Sequence, residues 1–127
     1  MIDTSFLCMK FLSPNEVLDV VVKILNSDKG SVYLFDKNTE DFIGNEDASI
    51  KCVYELVRGS FSFSLDLYFS EGSVLQKTEA EICRLFSEET GVSCAIDTPD
   101  ANPYTWLLMG KGLPDRIISI DDQYNIV

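Results

Sequence analysis

Phe61-Ser62-Phe63-Ser64-Leu65-Asp66-Leu67-Tyr68-Phe69-Ser70 is the stretch that decides the fold. Phe61, Phe63, Leu65, Leu67 and Phe69 alternate with Ser62, Ser64, Asp66 and Tyr68. A period of two places the first set on one face of a β-strand and the second on the other. One face then belongs to a core, and the other is wet or faces a partner. Ile50–Arg58 reads as the strand before it, joined through Arg58-Gly59-Ser60.

On the N-terminal side, Ser31–Asp36 is a further strand, and Asp36–Asp47 is a polar loop or loose hairpin carrying Phe42 and Ile43. Ser5–Leu12 reads as the first strand. Ser13-Pro14-Asn15-Glu16 then starts a helix: Ser13 caps it, Pro14 suits the first helical position, and Glu16 completes a capping box. This helix runs to about Leu25, with Val17, Leu18, Val21, Ile24 and Leu25 on one face. Its β-branched residues make it weak alone, so packing must hold it.

On the C-terminal side, Leu75–Thr90 is a second helix with Leu75, Ile82, Leu85 and Phe86 as its buried stripe, closed by Gly91. Val92–Asp97, Tyr104–Met109 and Arg116–Ile120 read as strands, and Asp121–Val127 as a short edge addition. The order predicts one α+β domain over 1–127: a mostly antiparallel β-sheet with two helices packed on one face.

The 127 residues carry 21 Asp and Glu against 10 Lys and Arg, a net charge of −11. Such a field repels nucleic acid and anionic membrane and attracts a cationic partner. The chain has no histidine, which excludes Ser-His-Asp and Cys-His catalysis and histidine zinc sites. Asp3 and Lys10 fit neither a secretory signal nor a membrane span, so a cytoplasmic protein is expected. Cys8, Cys52, Cys83 and Cys94 lie in apolar patterns with no Cys-x-x-Cys pair. Buried free thiols are expected, rather than disulfides or zinc.

Asp36-Lys37-Asn38-Thr39-Glu40 opens like a calcium loop, but position six is Asp41 where glycine is needed, and position twelve is Asp47 where glutamate is needed. A solvated acidic turn fits better, and neither metal nor other cofactor is expected. Glu79/Glu81 and Glu88/Glu89 do not converge on a helix, so no acid–base pair stands out and no enzymatic activity is expected. Trp106 is expected to pack in or over the core. Asp36, Glu40, Asp41, Glu46 and Asp47 share one segment with a single lysine. Asp97 and Asp100 flank a turn next to Tyr104, whose ring offers rigid contact area. These eight residues are the candidate partner-binding set. Concentrated charge of this kind speeds capture of a cationic protein.

Phe63-Ser64-Leu65-Asp66-Leu67-Tyr68-Phe69 and Asn102-Pro103-Tyr104-Thr105-Trp106-Leu107-Leu108, in a small, acidic, histidine-free α+β chain, resemble the immunity proteins of bacterial contact-dependent growth inhibition and related polymorphic toxin systems. The resemblance implies a cognate toxin domain as partner, commonly a nuclease with a positive cleft, bound one to one by a monomer. It assigns no catalytic residue. The alternative is an acidic type III secretion chaperone that binds an effector segment as a homodimer.

Overall fold

The computed structural model describes residues 4–70, 77–98 and 104–127. Eight strands form one sheet: β1 (Thr4–Cys8), β2 (Val32–Asp36), β3 (Phe42–Gly44), β4 (Ile50–Leu56), β5 (Phe63–Phe69), β6 (Cys94–Asp97), β7 (Thr105–Gly110) and β8 (Leu113–Ser119). Two α-helices, α1 (Pro14–Ile24) and α2 (Glu79–Thr90), and a short 3-10 helix at Lys29–Ser31 complete the regular structure of the described residues. The strand order is β3-β2-β4-β5-β1-β6-β7-β8. Every pairing is antiparallel except β2 with β4. The expected α+β class, with a mostly antiparallel sheet, is the fold.

Alternation builds the two faces. Phe63, Leu65 and Leu67 of β5 are fully buried with Phe6, Cys8, Leu34, Cys52, Tyr54, Cys94 and Ile96 from the neighbouring strands. Both helices lie on this face. Val17, Leu18, Val21 and Ile24 of α1 join Ile82, Cys83 and Phe86 of α2 in the same core. Each large apolar side chain buried there contributes roughly 1.5–3 kcal/mol relative to exposure. Phe6 meets Phe86 at 5.1 Å between ring centroids, and Tyr54 stacks on Phe63 at 5.0 Å. The buried Tyr54 hydroxyl donates to the Leu12 carbonyl at 2.8 Å, so its polar end is satisfied.

Helix ends follow the sequence. The Glu16 N–H donates to Ser13 Oγ, and Glu16 Oε1 accepts from the Ser13 N–H, the expected reciprocal box. Thr78 caps α2, and Gly91 ends it at φ +72°. The N–H of Val92 bonds Thr90 Oγ1, so that residue still serves the helix end and β6 begins only at Cys94. The first strand stops at Cys8 instead of Leu12, because the chain must turn off the sheet to bring Leu12 under Tyr54 and start α1. The closing strand starts at Leu113, ahead of Arg116, because the Lys111-Gly112 turn returns the chain directly alongside β7. Leu75, expected on the second helix, lies outside the described residues.

Phe61 departs from its expected face. It packs with Leu7, Ala95, Leu108, Ile118 and Ile120 in a second cluster, on the face opposite the helices. The cause is the turn before β5: Ser62 donates to the Cys8 carbonyl, and Val57 to the Ser62 carbonyl, which breaks the alternation ahead of Phe63. Trp106 packs against this second cluster, over the core as expected. The tail folds onto it as well. Ile120 bridges Ile126, and Ile126 donates to Ser60 Oγ.

Candidate docking surface

The hairpin β2–β3 is tighter than a loose loop. Asp36 donates its N–H to the Asp41 carbonyl, and Glu40 returns one to Asp36, with Glu40 in the left-handed region at φ 62°. The Asp36 side chain accepts from the Asn38 N–H, a local Asx turn. Two bonds tie the tip to β4: Lys37 N–H to the Tyr54 carbonyl, and Leu56 N–H to Asn38 Oδ1 at 2.7 Å.

The tip's single cation is already engaged. Lys37 Nζ lies 3.1 Å from Glu55 Oε2. That hydrogen bond, with its Coulomb attraction, raises the Lys37 pKa. Asp36, Glu40 and Asp41 therefore present negative charge that the hairpin lysine does not cancel.

The eight candidate residues do not form one patch. Asp36, Glu40 and Asp41 sit at the sheet end where β2 and β4 finish. Glu46 and Asp47 follow β3 and sit at the other end, where β2 and β4 begin. Asp97 and Tyr104 are at that second end too, beside β6 and β7. Strands sit about 4.8 Å apart, so β4 and β6, three steps apart, are separated by about 14 Å. Glu40, Asp41, Glu46, Asp47, Asp97 and Tyr104 are exposed and Asp36 is partly so. Asp100 lies outside the described residues.

The residues that reading the sequence missed lie on the sheet face opposite the helices. Phe42, Phe35, Val53 and Asp66 stand in register across β3, β2, β4 and β5. Tyr33, Lys51 and Tyr68 form the adjacent row. The Tyr33 and Phe42 rings are 5.4 Å apart, and Phe42 is 52% exposed. Asp66 accepts from Ser5 Oγ at 2.5 Å and is partly buried. Only the Asp66 and Tyr68 side of this surface was legible, as the outward half of the β5 alternation. The pairing of Tyr33 with Phe42 across two strands leaves no local signal.

The four cysteines are free and buried. Among the described residues, no group of three or more Cys, Asp or Glu could hold a metal ion, and no helix is long and apolar enough to cross a membrane. Glu79 has a raised carboxyl pKa, chiefly from burial, with Asp97 adding to it. It stands at the first turn of α2, where a carboxylate also serves the helix end.

No family model, curated protein or solved structure matches this chain.

Proposed function

We propose that this protein is an inhibitor of the immunity type. It binds one cognate cationic toxin domain, a nuclease in the first instance, and neutralises it in the cytoplasm without performing a reaction. The observation that carries this reading is the uncancelled charge of the β2–β3 hairpin, whose lysine is tied to Glu55 in a chain of net charge −11. A nuclease cleft must be positive to hold phosphates. A rigid acidic surface opposes such a cleft, steers the encounter, and keeps nucleic acid out once docked.

Rigidity matters here because ordering a loop on binding costs affinity. The hairpin tip is held to β4 by backbone and side-chain hydrogen bonds before any partner arrives.

The test begins at the gene immediately upstream, where a large secreted protein ending in a basic, nuclease-like domain is expected, and pairs this protein with that domain. Co-expression is expected to protect cells from that domain, and calorimetry to show a one-to-one complex. Changing Glu40, Asp41, Glu46 and Asp47 to lysine is expected to slow association at low salt by about tenfold or more. A wild-type protein that neither binds nor protects defeats the reading.

A further inference from the structure

Two cysteines stand opposite each other on inner strands of the sheet. Cys8 of β1 and Cys94 of β6 are register partners, following Phe6 with Ile96 and Leu7 with Ala95. Antiparallel partners alternate between pairs that exchange both backbone hydrogen bonds and pairs that exchange none. One step on, the Met9 N–H donates to the Ser93 carbonyl at 3.0 Å, so Cys8 and Cys94 form a pair of the second kind. The Cys8 carbonyl agrees, because it accepts from Ser62 on the β5 side. In such pairs the Cα atoms lie about 4.5 Å apart and the side chains approach most closely. That separation falls within the roughly 4.4–6.8 Å that a disulfide spans. Both side chains point into the helix-facing core and are fully buried. Their sulfurs are already 3.4 Å apart, so a small side-chain rotation brings them to a bond of about 2.05 Å.

We propose that Cys8 and Cys94 are a disulfide-forming pair, closed by a small disulfide oxidant such as glutathione disulfide as the chain folds, and accommodated by the native sheet. This inference does not depend on the inhibitor reading. In the reaction, one cysteine thiolate attacks a sulfur of glutathione disulfide, that S–S bond breaks, and one glutathione thiolate leaves. The second cysteine, as thiolate, attacks the protein sulfur of the mixed disulfide and expels the second glutathione thiolate. The two cysteines lose two electrons to glutathione, and their two protons end on the departing thiolates. Once the core has closed, burial keeps the reagent out and the thiols protonated, so the link forms while the strands are pairing. Cys83 of α2 also hydrogen-bonds Cys94. It approaches from the helix layer, however, where no strand ladder fixes its distance, so the link runs across the strands. Cys52, on β4, takes no part. The bridge joins positions 86 apart, and loops of that length gain most from closure.

The experiment refolds the reduced, full chain from guanidinium in a mixture of reduced and oxidised glutathione. Free thiols are then alkylated, and linked peptides are mapped by mass spectrometry without reduction. The expected product carries one Cys8–Cys94 disulfide and two free thiols after unfolding, in place of four. Its far-UV spectrum is expected to match that of the reduced protein, and its melting temperature to rise by about 5 °C or more. Cys83→Ala and Cys52→Ala are expected to keep the link, and Cys8→Ala to lose it. Protein made in a bacterium with an oxidising cytoplasm gives the same map without a refolding step. Four free thiols from both routes, a main link through Cys83 or Cys52, or a linked product with an altered spectrum or a lowered melting temperature overturns the proposal.

Discussion

Cys8 and Cys94 face each other across β1 and β6 with their sulfurs 3.4 Å apart. Cys83 reaches the same spot from α2. The Cys83 thiol pKa is raised first by its hydrogen bond with Cys94 and then by burial. Cys94 is raised too, first through its hydrogen bond with Cys8. Cys52, separately buried, is pushed up to about 12 by desolvation.

A thiol reacts as its thiolate. All four groups are buried, so Ellman's reagent at pH 8 is expected to titrate none of them in the native protein and all four after unfolding in guanidinium. One or more fast-reacting thiols in the native state contradicts this packing.

Alkaline pH tests the same core. The Tyr54 phenol is raised from 10.0 to about 12, chiefly by burial, with Asp36 adding to it. Cys52 is raised from 9.0 to about 12. The folded state therefore keeps protons that the unfolded chain releases, and stability falls as pH rises through that interval. The contribution is complete below about pH 9 and is lost towards pH 12. Urea midpoints at pH 8, 9.5 and 11 are expected to descend. Tyr54→Phe removes the phenol's share, so its midpoint descends less between pH 10 and 11. Parallel curves for the two proteins rule this assignment out.

Ser13→Ala removes the acceptor for the Glu16 N–H and one half of the reciprocal box. A lost cap costs about 1 kcal/mol. For a chain of this size that corresponds to a drop of roughly 3–6 °C in melting temperature. Differential scanning calorimetry checks it, and an unchanged Tm removes the cap from the account of α1.

Two glycines separate strain from crowding. Gly59 has φ +85°, and an added Cβ there meets Asn125 Oδ1 and the carbonyls of Gln123 and Tyr124 at 2.7 Å. Gly112 has φ +71°, with nothing within 4 Å of such a carbon. Gly112→Ala is expected to cost only the left-handed penalty, about 1 kcal/mol. Gly59→Ala is expected to cost clearly more and to loosen the tail, which proteolysis after Arg58 reports. Equal losses for the two variants refute the seating of the tail on that turn.

Local chemistry was the legible part of this chain. The Ser13–Glu16 box, the Gly91 stop and the β5 alternation each depend on residues close in sequence, and each is present. What the sequence hides is non-local. The parallel pairing of β2 with β4, the shift of Phe61 to the other face, and the meeting of Tyr33 with Phe42 arise from pairings between separate segments. The candidate set shows the same divide. Its acids were visible as composition, but their split between two ends of the sheet follows from strand order alone.

β1 is the one strand that joins the two halves of the sheet, pairing with β5 on one side and β6 on the other. Its contacts reach far ahead in the chain: Ser5 to Asp66 spans 61 positions, and Cys8 to Cys94 spans 86. During synthesis this segment waits, unpaired and apolar, until both partners have left the ribosome. Distant pairings also make the search for the native arrangement slow. A newborn copy is therefore exposed to chaperones and proteases for longer than a helical bundle of equal length.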